Sequence, residues 1–197
     1  YRAEDFAAVP GRGLTAKIEG YTVCGGNADF IREKTALPET TTQRAAALAD
    51  EGKTPLYFSR NNELLGVIAV ADVMKSDAAE AIRELKGMGL RVVMLTGDNT
   101  RTAAAIGSAA GVDAVVAGVL PDGKEAVIRK LRESGKVAMV GDGINDAPAL
   151  SASHVGVAMI DGTDLAREVA NVLLTRPDLG GLIDARRLAR STLRRIH

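Results

Sequence analysis

The sequence predicts an α/β fold, in which a parallel β-sheet carries helices on both faces and a smaller α+β portion precedes it. From residue 77 to residue 174 the apolar patterns of helices and strands alternate, which requires parallel strands joined by helical crossovers. Aromatic residues make up 3% of the chain and hydrophobic residues 46%. The core is therefore built from Ala, Val, Leu, Ile and Met, as is usual for helices packed on a parallel sheet.

The amino-terminal portion is predicted to be separate, with a boundary near residues 71–75. Its pattern indicates a hairpin, two helices and two more strands before that boundary. The predicted ranges are a hairpin through 17–23, helices near 28–33 and 41–51, the second capped around Thr40, and strands near 56–60 and 63–71.

The second portion is predicted to contain five alternating pairs of helix and strand, followed by a last helix at 179–197. The helices are expected at 77–88, 100–110, 122–134, 145–151 and 163–169. The strands are expected at 91–95, 114–116, 137–140, 155–158 and 171–174.

The stretch from Val137 to Leu150 combines an apolar strand with a turn rich in acidic and amide side chains. Asp142, Asn145 and Asp146 follow the strand at its carboxyl end, where open α/β sheets bind ligands. Hard oxygen ligands suit Mg²⁺, which takes one or two carboxylates and leaves other positions to water and phosphate. The alternative interpretation is a turn in which Asn145 or Asp146 only caps the next helix.

Two further polar groups follow predicted strands. Thr96 lies between the strand 91–95 and the helix 100–110, where its hydroxyl can donate to a phosphoryl oxygen. Lys124 lies just after Pro121, which suits a first helical turn, and its ammonium offsets the charge of a phosphoryl group. Taken singly, such a threonine is more often an ordinary cap and such a lysine more often an ordinary surface residue.

Together, Thr96-Gly97-Asp98, Lys124 and Gly141 to Asp146 resemble the later motifs of haloacid-dehalogenase-type phosphotransferases. The resemblance is strongest to the phosphorylation domain of heavy-metal P-type ATPases, since 66–72 is similar to the strand that returns from their nucleotide domain. It covers essentially the whole chain. The implied domains are 1–71, the carboxyl-terminal part of an ATP-binding domain, and 72–197, a phosphorylation domain.

The resemblance also implies roles for individual residues. Asp142 is expected to bind Mg²⁺ with Asp146. Thr96 and Lys124 are expected to contact the transferred phosphoryl group. The catalytic set implied by the motifs comprises Thr96, Gly97, Asp98, Lys124, Asn145 and Asp146.

The phosphoryl acceptor of this family is the aspartate of an Asp-Lys-Thr-Gly-Thr segment, which does not occur in the sequence. In these pumps the nucleotide domain is inserted after that segment, so the chain resembles a piece that begins inside the insertion. We therefore expect the isolated chain to be inactive. The intact protein is expected to hydrolyse ATP through an aspartyl phosphate.

A glycine-containing loop is the candidate ATP site. Glycine lets backbone approach a ligand closely because no Cβ intervenes, although such a loop before a hairpin is most often only a turn. With the resemblance, Gly11 and Gly13 are expected to flank the triphosphate, and Gly26 with Asn27 the adenosine end. The His-Pro pair expected in this domain is missing from the sequence.

Charge, cysteine content and hydropathy restrict the partners. The chain has 25 basic and 25 acidic side chains, which argues against a nucleic-acid partner. Cys24 is the single cysteine, expected to be buried in a strand rather than to bind metal.

The longest apolar run, 64–71, is far shorter than the roughly 20 residues of a membrane span. We expect a soluble portion at the cytoplasmic face of the cell membrane, joined to the actuator and transmembrane domains of the same polypeptide.

The segment from Leu179 to His197 carries five arginines among apolar residues. It is either a solvated helix or the basic cytoplasmic approach to a membrane span. The resemblance places the end of the phosphorylation domain there, so a continued chain is predicted to become strongly apolar within roughly 20 residues.

The transported ion is predicted from local similarity alone. The segments 51–55, 66–72 and 117–124 look most like copper(I) pumps, whereas His154, 160–162 and Asn171 depart from the usual pattern. Copper export is therefore favoured over zinc or cadmium transport. The sequence is also compatible with a soluble phosphatase of the same superfamily or with a non-catalytic nucleotide or Mg²⁺ binding module.

Overall fold

The structure is a computed structural model that describes residues 2–71, 74–141, 146–159, 168–176 and 178–196. The α/β class predicted from the sequence is confirmed. The chain divides into two compact units, the first of Tyr1–Val73 with Thr96–Ser108 and the second of Met74–Leu95 with Ala109–His197.

The first unit is built on a five-stranded antiparallel sheet in the order β1-β2-β3-β4-β5. Its strands are β1 (Ala3–Val9), β2 (Gly13–Ile18), β3 (Tyr21–Gly26), β4 (Thr54–Arg60) and β5 (Glu63–Val70). The predicted hairpin is confirmed as β2 and β3. Strand β1 was not predicted, because all seven of its residues are exposed and its sequence lacks the alternation that marks a half-buried strand.

Helices of the first unit are α1 (Ala28–Arg32), α2 (Glu39–Asp50) and most of α4 (Thr100–Ala110). Helix α2 begins earlier than predicted because Pro38 occupies its N-cap and fixes a backbone suited to a helix start. A core of Cys24, Phe30, Ile31, Ala45 and Tyr57 lies between the sheet and the helices. The predicted burial of Cys24 is confirmed, since it is 1% exposed.

The second unit contains two parallel sheets among its described residues. Strand β6 (Val93–Leu95) pairs with β7 (Ala114–Val116), and β9 (Val155–Met159) lies between β8 (Ala138–Gly141) and β10 (Val172–Leu174). Its helices are α3 (Ala78–Gly87), α5 (Lys124–Glu133), α6 (Ala147–Ala152) and α7 (Gly180–Ile196).

Two predicted helix starts are corrected by the structure. The helix predicted at 122–134 opens as a 3₁₀ turn, Pro121–Gly123, before α5 begins at Lys124, since tight turns of this kind are common at helix ends. The helix predicted to start at 145 begins at Ala147, after Asp146 at the N-cap. Most of the helix predicted at 163–169 lies outside the described residues.

Helix α7 packs its first turns on α3. Ile183 joins Ala81 and Leu85 in one buried cluster, and Arg187 pairs with Glu84. Further along, Leu188 and Leu193 are 68% and 59% exposed. Among the described residues, none of the helices has both the length and the apolar character that crossing a bilayer requires.

The start of β8 is held by His154. The Val137 amide donates to His154 Nδ1 at 3.2 Å, and the His154 amide donates to the Val137 carbonyl at 2.9 Å. Partial burial, followed by the positive charges of Arg132 and Lys136, lowers the pKa of the imidazole from its ordinary value of 6.5. The neutral ring is therefore the form that the fold uses, because a protonated Nδ1 cannot accept a hydrogen bond.

We expect the free energy of unfolding to fall as the pH is lowered from 7.5 to 5.5. The unfolded chain takes up the His154 proton near pH 6.5, whereas the folded chain resists it, so acid stabilises the unfolded state. Urea titrations across this range measure the slope. His154→Gln is expected to flatten the slope and His197→Gln to retain it; an unchanged slope in His154→Gln contradicts the assignment.

Candidate active site

A buried ion pair joins the two helix starts of the second unit that were predicted to carry the site. Lys124 Nζ lies 2.7 Å from Asp146 Oδ1, and the two side chains are 20% and 9% exposed. Lys124 is the first residue of α5, and Asp146 immediately precedes α6. The 3₁₀ turn that begins at Pro121 therefore directs the ammonium toward the carboxyl end of β8, where Asp146 follows.

Gly141, at the end of β8, leaves room for the Asp146 carboxylate because it has no side chain. A Cβ placed on Gly141 would lie 2.8 Å from Asp146 Oδ2 and 2.9 Å from Asp146 Cβ. Any side chain there would displace Asp146 from Lys124. Gly141 thus has a packing role that the sequence did not reveal.

These residues border a cavity of about 410 Å³ in the second unit. This volume is within the usual range for small-molecule sites. Among the described residues its charged lining side chains are Lys75, Lys124 and Asp146, and Leu95 and Gly141 mark the ends of β6 and β8. Lys75 was not predicted as a site residue, although its position just before α3 is a signal that could have found it.

Thr96 and Asp98 form a local hydrogen-bonded turn in the first unit. Thr96 Oγ1 donates to Asp98 Oδ2 at 2.8 Å, and the Asp98 amide donates back to Thr96 Oγ1 at 3.1 Å. Gly97, between them, is exposed. The Thr96 hydroxyl proton is therefore held by a carboxylate and must turn away from it to reach another acceptor.

The four glycine-loop residues lie together in the first unit. Gly13 and Gly26 are directly paired across β2 and β3, and Asn27 Nδ2 donates to the Gly11 carbonyl at 3.3 Å. Asn27 Oδ1 also accepts from the Phe30 amide at 2.9 Å and so caps α1. Gly11 has a φ of 70°, in the left-handed region that favours glycine.

Close packing accounts for two of these glycines without a ligand. A Cβ on Gly13 would lie 2.5 Å from the Gly25 carbonyl oxygen, and one on Gly26 would lie 2.4 Å from the Arg12 carbonyl oxygen. Both would also meet the Phe30 ring. The space beside them is filled by the protein itself.

Two predicted site residues, Asp142 and Asn145, lie outside the described residues. Within the parts of the chain that the structure describes, no group of three or more His, Cys, Asp or Glu side chains is placed to hold a metal ion. Asp146 is thus the one described member of the predicted Mg²⁺ pair. It supplies a hard carboxylate oxygen of the kind that Mg²⁺ prefers.

The sequence model of the haloacid dehalogenase-like hydrolases matches residues 2–154, and a second model of that description matches residues 124–185. The chain therefore belongs to the haloacid dehalogenase-like hydrolases. It is 43% identical over 97% of its length to a copper-transporting P-type ATPase of Rhizobium leguminosarum bv. viciae. It is 44% identical over 97% of its length to a silver exporting P-type ATPase of Salmonella typhimurium.

The fold is also similar to that of a zinc-transporting PIB-type ATPase in its E2.Pi state, with a TM-score of 0.66. Sequence identity to that structure is 40%, over 96% of this chain and 30% of the other. The chain spans 23% of each of the two curated relatives. Its homologues are thus heavy-metal P-type ATPases of about four times its length.

Proposed function

We propose that this chain is the ATP-binding and phosphorylation portion of a heavy-metal pump that exports copper(I) at the expense of ATP, through an aspartyl phosphate. The observation that carries the proposal is the Lys124–Asp146 pair, 2.7 Å apart beside Gly141 and bordering a cavity. The heavy-metal P-type ATPases among its homologues support the same reaction class. The domain division at residues 71 and 72, the cytoplasmic location and the membrane domains of the same polypeptide belong to this proposal.

Lys124 has the charge that phosphoryl transfer requires. Its ammonium is mostly shielded from water, so it stabilises negative charge on transferring oxygens more strongly than a surface lysine does. Asp146 orients that ammonium through one oxygen, and its other oxygen remains beside Gly141. Asn145 is proposed to complete this site.

The residues fit a bound Mg²⁺ at Asp146 and, by the family resemblance, at Asp142. When bound, the ion would neutralise charge on the phosphoryl oxygens. The Asp146 carboxylate is already oriented by Lys124, so this side chain needs little rearrangement to coordinate the ion. Thr96, with Gly97 and Asp98, is proposed to donate its hydroxyl to a phosphoryl oxygen after releasing Asp98.

The proposed ATP contacts are Gly11, Gly13, Gly26 and Asn27. In this structure Gly13 and Gly26 serve strand packing and Asn27 caps α1. The exposed loop at Gly11 is the part of this set that suits a triphosphate. The side chain of the adjacent Arg12 is 37% exposed and pairs with Glu33, so ATP binding is proposed through the loop backbone more than through side chains.

Asp142→Asn in the full-length protein is expected to lower aspartyl-phosphate formation by at least about a hundredfold, because the amide binds Mg²⁺ weakly and leaves phosphoryl charge uncompensated. Phosphoenzyme formation from radiolabelled ATP measures it. Asp122→Asn, an exposed carboxylate on the 3₁₀ turn, is the control and is expected to behave as wild type. Normal phosphorylation in Asp142→Asn would falsify the proposed role.

The choice of ion is tested separately. Metal-stimulated ATP hydrolysis by the full-length protein is expected to respond to copper(I) and silver(I), in line with relatives named for those metals. If zinc alone stimulates ATP hydrolysis, the transported ion is zinc and not copper. The 197-residue chain by itself is expected to form no phosphoenzyme, because its sequence contains no acceptor segment.

A further inference from the structure

The segment that carries Thr96 is joined to the end of α2 and to the α2–β4 turn by side-chain hydrogen bonds, one from a buried residue and one at the surface. Thr102 is fully buried, and its hydroxyl donates to the Lys53 carbonyl at 2.7 Å. Arg101 Nη1 lies 3.0 Å from both carboxylate oxygens of Asp50. All of these residues belong to the first unit. The fastening is long-range, since the partners are 49 and 51 residues apart.

The Asp98 carboxylate is shared by two hydroxyls in this network. Thr54 Oγ1, at the start of β4, donates to Asp98 Oδ1 at 3.1 Å. Thr96 Oγ1 donates to the other oxygen, Oδ2, at 2.8 Å. The rotation of the carboxylate that receives the Thr96 proton is therefore set by Thr54. A hydrogen bond to a charged acceptor is among the stronger ones in proteins.

This sharing matters when Thr96 changes partner. If Thr96 turns its hydroxyl toward a phosphoryl oxygen, Asp98 loses one donor while it stays half-buried. Removing a hydrogen-bond donor from a half-buried carboxylate costs free energy unless another donor remains. Thr54 remains, on the regular strand β4, so the exchange leaves Asp98 in place.

We propose that Thr54 is a positioning residue for phosphoryl transfer, acting through Asp98 to orient Thr96 and to keep Asp98 hydrogen-bonded when Thr96 engages the phosphoryl group. This inference rests on the proposed function. It assigns Thr54 no contact with ATP or with the transferred group. Its effect is therefore expected in the rate of the transfer step and not in nucleotide affinity.

The test compares Thr54→Val, which removes the hydroxyl at nearly constant volume, with Thr54→Ser, which keeps it. In the full-length protein, Thr54→Val is expected to lower the rate of phosphoenzyme formation at saturating ATP about tenfold. The KM for ATP is expected to stay within about twofold, as for an interaction made in the transition state alone. Thr54→Ser is expected to restore the rate. Thr42→Val, which removes a hydroxyl that donates to the carbonyl of Pro38, the N-cap of α2, is the control and is expected to be neutral.

A second readout uses the 197-residue chain. The Asp98 amide donates to Thr96 Oγ1. Hydrogen exchange of the Asp98 amide is therefore expected to be faster in Thr54→Val than in Thr42→Val. The thiol of Thr54→Cys is a weaker donor, so this variant is expected to fall between wild type and Thr54→Val in both the transfer rate and the hydrogen exchange. It replaces Thr54→Val in the test if the valine variant fails to fold.

The outcomes separate the two proposals. A wild-type transfer rate in Thr54→Val, with Asp142→Asn inactive, overturns the positioning role and leaves the proposed function intact. A raised KM with an unchanged rate also overturns it, because that pattern marks a ligand contact. Normal phosphorylation in Asp142→Asn removes the proposed function itself.

Discussion

Lys124→Met is expected to lower the free energy of unfolding by about 3 kcal/mol, because it leaves the carboxylate of Asp146 buried without its cation. The Asp146 side chain is 9% exposed and lies 2.7 Å from the ammonium. Breaking a buried pair by removing one partner typically costs about 3–5 kcal/mol. The lower end applies here because Lys124 is one-fifth exposed. Urea unfolding of the 197-residue chain measures the change.

The control for this experiment is Lys130→Met, the same substitution at an exposed position of α5. It is expected to change stability by no more than about 0.5 kcal/mol. Combining Lys124→Met with Asp146→Asn is expected to recover part of the loss, since the uncompensated charge is gone. Strict additivity of the two substitutions would show that the pair is not coupled.

Lys124→Met has a second expected effect, on the activity of the full-length protein. Removing a cation that is aimed at developing negative charge typically costs about 10²–10³-fold in rate. Lys124→Met is therefore expected to lower phosphoenzyme formation by about that factor, and Lys130→Met to leave it unchanged. Equal rates in the two variants would show that Lys124 has only a structural role.

Gly26→Ala is expected to destabilise the first unit by about 3 kcal/mol or more, at the upper end of the cost of overpacking. The new Cβ would lie 2.4 Å from the Arg12 carbonyl oxygen and 2.8 Å from Gly13 Cα. Both atoms are backbone, so neither can rotate away. The midpoint of urea unfolding measures the loss.

Gly87→Ala is the matched control for Gly26→Ala. Gly87 ends α3, and, apart from its chain neighbours and the backbone of its own helix, a Cβ built on it meets no atom within 4 Å among the described residues. Alanine is favoured over glycine in a helix by up to about 1 kcal/mol, so this variant is expected to be neutral or slightly stabilised. If both variants unfold at the same urea concentration, the close approach at Gly26 does not constrain the fold.

The strands and helices with strong apolar periodicity could be predicted from the sequence. Helix α4 and strand β7 have the predicted bounds. In α4 the buried residues Ala103, Gly107 and Ala110 recur at the spacing of one helical face. Strand β1 could not be predicted, since none of its residues is buried. The 3₁₀ turn before α5 also escaped prediction, because Pro121 suits the first turn of either kind of helix.

The candidate site was predictable in part, from motifs more than from physics. Lys124 and Asp146 are 22 residues apart, and nothing in their spacing requires an ion pair; the family resemblance placed them in one site. The Thr54–Asp98 and Thr102–Lys53 bonds join residues 44 and 49 apart, with no local pattern to reveal them. Contacts of this kind are decided by tertiary packing, which local propensity does not encode.

The division of the chain into units has a practical consequence. The polypeptide passes from one unit to the other after Val73, after Leu95 and after Ser108, so neither unit is one continuous stretch. Truncation at Val73 would delete Thr102 and strip the Lys53 carbonyl of that donor. Anyone who wishes to produce the first unit alone should splice 96–108 back onto it through an engineered linker, rather than shorten the gene.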